Sequence, residues 1–247
     1  MKTIGLLGGM SWESTVPYYQ VLNREIGRIL GGLHSARVVL LSVDFQGIET
    51  LQHQGRWDEL GEMLAEDAAA LEGAGADFLV ICTNTMHLVA PAIEERIRIP
   101  ILHIADATAD RIRAAGIERI GLLGTRFTME EEFYRGRLED KHGLTVDIPP
   151  EADRELVHRV IYDELVLGRI DESSRAEYSR IVADLAARGS EGVILGCTEI
   201  GLLLQQEDSA IPLFDTTYIH AEAAAALAVE GVVSSETGGR EHGGDAT

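Results

Sequence analysis

The sequence predicts an α/β fold with two similar Rossmann-like parallel-sheet domains, related by pseudo-two-fold symmetry and facing each other across a cleft. Three observations lead to this prediction. Short β-branched runs alternate with longer amphipathic stretches, the runs are apolar on both faces, and part of the pattern occurs twice. Alternating strands and helices favour right-handed crossovers, and strands that are apolar on both faces are typical of the interior of a parallel sheet.

Eight short apolar segments are predicted to be strands, and the stretches between them carry Ala and Leu at helical spacing. The strand predictions are 3–7, 37–43, 78–81, 99–103, 119–123, 144–147, 192–195 and 211–214. The clearest helices are predicted at 57–71 and 175–187.

An internal repeat indicates duplication. The pentapeptide IGLLG at 4–8 recurs at 120–124, an offset of 116, and the AGAD/LVI pattern at 74–81 matches RGSE/VIL at 188–195, an offset of 114. In the second register Thr83 falls on Cys197 and Asn84 on Thr198. Two matches in the same order at nearly the same offset are hard to attribute to shared strand composition alone.

The repeat suggests domain limits. Residues 1–103 together with 214–233, including a helix from about 216 to 229, form the first predicted domain, and residues 104–213 form the second. Residues 234–247 are rich in Gly and charge without apolar periodicity, so we expect this tail to be disordered.

Composition restricts the possible partners. With 41 acidic and 21 basic residues the formal charge is −20, which disfavours nucleic acid and anionic membranes but not a small anion in a local pocket. No membrane span or signal peptide is predicted, and two distant cysteines fit a reducing cytoplasm. The eight histidines show no metal-ligand spacing, and Gly8-Gly9 matches neither a P-loop nor a full dinucleotide fingerprint.

Ligands of parallel α/β sheets bind where strands end and helices begin. Four such loops offer small or hydroxyl residues, and each precedes a predicted helix: 8–11, 83–85, 124–126 and 196–199. Gln52 lies in a polar loop from which it could reach a cleft, although a solvated loop is the simpler interpretation. The predicted binding residues are Met10, Gln52, Asn84, Thr85, Thr125, Thr198 and Glu199.

Cys197 is the strongest candidate for a catalytic residue. Its predicted place at a helix N-terminus would lower the pKa of the thiol toward neutrality, although a lone cysteine is often a small buried hydrophobe. Cys82 ends a strand and should point away from Thr83, which favours a structural role. His87 is expected to be a surface or cap residue, and His103 is expected to lie in the connection to the second predicted domain.

Seven segments together resemble the aspartate/glutamate racemase superfamily, most closely its broad-specificity branch. The resemblance covers nearly the whole chain except the tail, and it rests on IGLLGGMSWEST, SVDF, ICTNTMH, LHIADAT, LLGTRFTMEEEFYRGRL, VILGCTEIGLL and PLFDTT. It implies two pseudosymmetric domains, a site between them, no pyridoxal phosphate or other cofactor, and one cysteine on each face of an aspartate or glutamate substrate. Homodimers are common among similar proteins.

This sequence departs from the family pattern at one place. The usual first motif is Cys-Asn-Thr, and aligning Asn84-Thr85 puts Thr83 in the cysteine position, as the internal repeat does independently. The resemblance therefore implies a catalytic pair of Thr83 and Cys197. An alcohol is a far weaker acid than a thiol, so three outcomes stay open: Thr83 donates or relays a proton, Cys82 swings in, or the enzyme uses one base.

Other functions stay open at this point. A one-cysteine decarboxylase or cis–trans isomerase of a related dicarboxylate needs only the single thiolate, and a small-acid binding protein would need only the cleft. Preference for aspartate or glutamate depends on what holds the side-chain carboxylate, for which Arg56 and Arg126 are candidates by loop position.

Overall fold

The computed structural model describes residues 1–230 and Val232, and it confirms an α/β fold with two parallel sheets. The predicted tail, 234–247, lies outside the described residues. The first sheet has the strand order β2-β1-β3 and the second the order β5-β4-β6-β7. The strands are β1 Ile4–Gly8, β2 Val38–Ser42, β3 Phe78–Ile81, β4 Arg119–Gly124, β5 Thr145–Asp147, β6 Val193–Gly196 and β7 Leu213–Asp215.

Helices connect successive strands and cover the sheets. The α-helices are α1 Trp12–Leu30, α2 Phe45–His53, α3 Trp57–Gly73, α4 Ala90–Arg96, α5 Ile104–Ala114, α6 Arg126–Glu130, α7 Glu151–Asp163, α8 Glu172–Ala187, α9 Ile200–Leu203 and α10 Thr216–Val229. Short 3₁₀-helices occupy Thr85–Val89, Leu165–Leu167 and Gln206–Asp208, and a π-helix occupies Arg137–Lys141.

The strand register repeats between the sheets. The repeated pentapeptide forms β1 and β4, which are both inner strands. In each sheet its first glycine is paired with an equivalent residue of a neighbouring strand, which is β3 in the first sheet and β6 in the second. Gly5 pairs with Leu79, and Gly121 pairs with Val193. Because Leu79 and Val193 are separated by the offset of the second sequence match, the repeat extends to hydrogen-bonded pairing.

The predicted strand at 99–103 is wrong as a full strand. Only Ile101 forms a bridge, to Leu79, with hydrogen bonds from Leu79 N to Pro100 O and from Leu102 N to Leu79 O, both 2.9 Å. Proline has no N–H to donate, which restricts it to the edge of a sheet. In the second sheet β7 holds the equivalent place, where Val193 N donates to Pro212 O.

Alternating side chains of β1 enter two cores of the first half. Leu6 packs in the cluster shared by α1 and α10, whereas Leu7 packs in the cluster beneath α3. Alanines of α10, including Ala221 and Ala225, let this helix lie close to α1 and to the first sheet. These contacts agree with a C-terminal helix that returns to the first half, although the domain limits themselves stay a prediction.

Replacing Leu6 by alanine should lower the free energy of unfolding by about 2–5 kcal/mol, because its completely buried side chain would leave a cavity. The matched control is Leu33→Ala, since Leu33 is fully exposed and its loss should change stability by no more than about 0.5 kcal/mol. Urea unfolding followed by far-UV circular dichroism measures both. Equal stabilities for the two variants would contradict this description of the core.

Candidate active site

Loops from both sheets converge on one cavity of about 370 Å³, including its part open to solvent. The loop after β1 brings Met10, that after β3 brings Thr83, that after β4 brings Thr125, and that after β6 brings Cys197. Each thus follows the carboxyl end of a parallel strand, where parallel sheets bind ligands. The lining residues are Met10, Phe45, Gln52, Thr83, Asn84, Thr85, Met86, Thr125, Ile161, Tyr162, Val166, Gly196, Cys197 and Glu199.

Every residue predicted for the site lines this cavity except Thr198. The Thr198 hydroxyl instead donates to Glu199 Oε2 at 2.9 Å. Arg56 and Arg126, the candidates for binding a side-chain carboxylate, are not among the lining residues. Arg56 is paired with Glu59 on the surface, and Arg126 is exposed.

The centre of the site is a buried carboxylate bound to the cysteine. The thiol of Cys197 donates to Glu199 Oε2 at 3.0 Å, and the hydroxyl of Ser11 donates to Glu199 Oε1 at 2.7 Å. Glu199 is only 2% exposed, and among the described residues no lysine or arginine forms an ion pair with it. Hydroxyl and thiol donors therefore offset the cost of burying this carboxylate.

The expected lowering of the Cys197 pKa is wrong. Burial raises the pKa of the Cys197 thiol well above its ordinary value, and the neighbouring Glu199 carboxylate raises it further. The helix that follows, α9, has only four residues, so its dipole is small beside a full negative charge 3.0 Å from the sulfur. In this structure Cys197 is a thiol hydrogen-bonded to a base.

Thr83 and Cys82 separate as strand alternation predicts. Thr83 is partly exposed and lines the cavity, whereas Cys82 is completely buried in the core that Ile4 and Leu6 share. Burial raises the pKa of the Cys82 thiol, and the only hydrogen bond of its sulfur in the described part of the chain is to Val80 O at 3.8 Å.

Two buried amide oxygens in the cavity wall lack a hydrogen-bond partner among the described residues. Asn84 donates from Nδ2 to Thr216 Oγ1 at 3.0 Å, but neither its Oδ1 nor Gln52 Oε1 has a hydrogen bond to any residue that the structure describes. Both residues are at least 98% buried. Since buried polar atoms are rarely left unpaired, these oxygens point to a ligand that carries N–H or O–H donors.

Hydroxyl groups from the two halves meet beside the amides. The Oγ1 atoms of Thr85 and Thr125 are 3.0 Å apart, and Thr125 Oγ1 lies 3.2 Å from Thr128 Oγ1. Thr125 also caps α6 by accepting from Thr128 N. These side chains form an uncharged surface with exchangeable donors, which suits an anionic group.

Several lining residues were missed by sequence analysis. Phe45 and Met86 belong to the first half, and Ile161, Tyr162 and Val166 come from α7 and the turn after it. Burial raises the pKa of Tyr162, so its phenol stays protonated. Ile161, Tyr162 and Val166 do not follow a strand, so a search for polar residues at strand ends could not have found them.

Charge and metal-ligand groups are sparse around the cavity. No lysine, arginine or histidine is among the described residues that line it. Nor do residues 1–230 and Val232 contain a group of three or more His, Cys, Asp or Glu side chains placed to hold a metal ion. The helices of these residues also include none with the length and hydropathy of a membrane span.

Known proteins resemble this chain in both sequence and structure. The family model described as Asp/Glu/Hydantoin racemase matches residues 7–224. A candidate Asp/Glu racemase from Yersinia pestis is 55% identical, with a TM-score of 0.86 over 93% of this chain and 100% of its own. An aspartate racemase homologue from Pyrococcus horikoshii is 35% identical, with a TM-score of 0.78 over 92% and 99%.

Among curated proteins, the broad specificity amino-acid racemase RacX of Bacillus subtilis is 21% identical over 87% of this chain and 92% of its own length. The family model covers most of the chain, and the 35% and 55% identical structures are matched over nearly their full length. The chain therefore belongs to the Asp/Glu/hydantoin racemase family, and it is an isomerase.

Proposed function

We propose that this protein is a cofactor-independent racemase that interconverts the L- and D-forms of aspartate, glutamate or both. Cys197 takes the Cα proton on one face, and Thr83 supplies a proton on the other, directly or through water. The observation that carries the proposal is the hydrogen bond from the Cys197 thiol to the buried Glu199 carboxylate, in a cavity that Thr83 also lines.

The first step needs a thiolate, which Glu199 can generate. When the Cys197 proton moves to Glu199, the total charge of the pair stays at minus one, so no further charge is buried. A substrate ammonium group in the cavity would stabilise this charge, as opposite charges favour ionised forms. The thiolate then removes the Cα proton, and the electron pair is delocalised into the α-carboxylate.

The second step replaces the proton from the opposite face. The Thr83 hydroxyl donates a proton to Cα and takes one from solvent water, because a free alkoxide would be too high in energy. Glu199 and Cys197 return the abstracted proton to solvent. Fixed N–H and hydroxyl donors, including those of Thr85 and Thr125, offset the charge that develops on the α-carboxylate.

An amino acid fits this cavity better than a dicarboxylate without nitrogen. The unpaired oxygens of Asn84 and Gln52 can accept from an α-ammonium group, whereas a malonate or maleate would leave both unpaired. The described lining residues include no cation for a side-chain carboxylate, so neutral donors such as the Tyr162 phenol would hold it. The decarboxylase and cis–trans isomerase alternatives are therefore less well supported.

Cys197→Ser should abolish racemisation, because a hydroxyl is too weak an acid to yield the required base. The matched control is Cys82→Ser, which should largely retain activity, since Cys82 lies in the core away from the cavity. Circular dichroism of each enantiomer of aspartate and glutamate, without added cofactor, follows the reaction, and maleate and a substituted malonate are tested in parallel. Tight aspartate binding without Cα exchange in the wild-type protein would instead indicate a binding protein.

Glu199→Gln should lower the racemisation rate by roughly 10²–10⁴-fold, because it removes a general base and keeps the side-chain shape. It should also lower the pKa of Cys197, since the Glu199 carboxylate raises that pKa. The pH dependence of thiol alkylation measures the second effect, with Glu207→Gln, an exposed position, as control. If Glu199→Gln lowers the pKa of Cys197 and leaves the racemisation rate undiminished, Glu199 is not the base that deprotonates Cys197.

Thr83→Cys should accelerate the slower direction of racemisation, because a thiol transfers protons more readily than an alcohol. Thr83→Ser should behave like the wild type, and Thr83→Ala should lose inversion while keeping Cα–H exchange by Cys197. Proton NMR in deuterated water separates inversion from exchange. Retained exchange in Thr83→Ala together with lost exchange in Cys82→Ser would overturn the assignment of Thr83 and Cys197.

A further inference from the structure

His87 is a buried histidine that the proposed reaction does not use directly. Of the surface or cap role expected from the sequence, the surface position is wrong, because His87 is only 2% exposed. It lies within the 3₁₀-helix Thr85–Val89. Its Nδ1 is 2.9 Å from the carbonyl oxygen of Thr83. Its Nε2 is 3.2 Å from the backbone N of Ile104, the first residue of α5.

These two contacts determine the protonation of the ring. The Thr83 carbonyl can only accept, so Nδ1 must carry a proton, and the Ile104 N–H can only donate, so Nε2 must be bare. One neutral tautomer satisfies both bonds, and an imidazolium satisfies only one. His87 therefore connects the start of α5 to the peptide of the residue that faces the substrate.

The surroundings keep this ring neutral. The ring centroid of His103 is 4.4 Å from that of His87, and the centroid of His220 is 6.1 Å away. His220 donates from Nε2 to Leu102 O and its Nδ1 faces the Tyr18 hydroxyl, so it too has a fixed tautomer. Burial lowers the pKa of His87 well below its ordinary value, and the two neighbouring histidines lower it further.

We propose that His87 is a positioning residue for proton transfer at Thr83, an inference that rests on the racemase function proposed above. Its Nδ1–H holds the Thr83 carbonyl, and thereby the orientation of the Thr83 peptide and side chain toward the cavity. Displacement of a reacting group by an ångström lowers a rate strongly. Because the contact is on the Thr83 side only, its loss should affect one face of the substrate.

Two substitutions separate the two hydrogen bonds of the ring. The amide of Asn reaches about as far as Nδ1, so His87→Asn keeps a donor for Thr83. The amide of Gln reaches about as far as Nε2, so His87→Gln keeps an acceptor for Ile104 and loses that donor. The matched control is His103→Ala, which removes the ring that caps α5 at Ala105 and packs on His87 but has no hydrogen bond to Thr83.

The test uses the full-length protein in deuterated water with each enantiomer of aspartate and glutamate. One enantiomer presents its Cα–H to Cys197, and it is identified as the one that Thr83→Ala still exchanges. For that enantiomer, His87→Gln should slow inversion about tenfold, the effect of losing one hydrogen bond, and keep exchange with retention within about twofold of wild type. His87→Asn should restore inversion, and His103→Ala should leave the ratio of inversion to exchange unchanged.

An equal loss of inversion and exchange in His87→Gln would mean a merely structural role, and unchanged inversion would likewise overturn the proposal. A second measurement does not depend on turnover. The ¹³C shift of the Thr83 carbonyl should move upfield in His87→Gln and stay in place in His87→Asn and His103→Ala. A shift that stays unmoved in His87→Gln contradicts the positioning role, whereas failure of the racemase function would be seen as no exchange in the wild-type protein.

Discussion

The buried carboxylate of Glu199 forms no ion pair with any described residue, and the arrangement of the site follows from this. Ser11, from the first half, donates to one oxygen, and Cys197 and Thr198, from the second half, donate to the other. A lone buried charge is costly, so its donors must stay in place, and this holds the loops after β1 and β6 together. The same arrangement leaves the cavity with a negative charge that a cationic ligand group would complement.

The duplicated fold places two equivalent turns at one cavity, and the sequence differences between the two copies give these turns different acid–base groups. In the repeat register, Thr83-Asn84-Thr85 of the first half corresponds to Cys197-Thr198-Glu199 of the second. The second loop joins a thiol to a carboxylate, whereas the first carries only neutral groups, with Thr85 bonded to Thr125 of the opposite half. Two equivalent turns therefore face one cavity with unequal acid–base strength, so proton transfer on the two faces need not be equally fast.

The Thr83 side of the cavity, which has the weaker acid–base groups, is backed by a buried network of polar side chains in place of apolar packing. Tyr18, His87 and His220 are almost completely buried, and each has hydrogen-bond partners that fix its protonation. Such a network costs stability unless every member is satisfied, but once satisfied it defines a single arrangement. It joins α1, α10 and the start of α5 to the turn after β3, and so connects the first core to the cavity wall.

The class of fold, the repeat and the residues at strand ends could be predicted from the sequence, because apolar periodicity and loop position are local properties. The sequence predicted Met10, Asn84, Thr125 and Cys197 at the cavity for that reason. The protonation of Cys197, the position of Thr198 and the presence of Tyr162 in the cavity wall could not be predicted in this way and follow from the packing of the folded chain. A pKa depends on burial and on charges from distant parts of the chain, and helix α7 reaches the cavity through packing between the halves, which no spacing along the chain records.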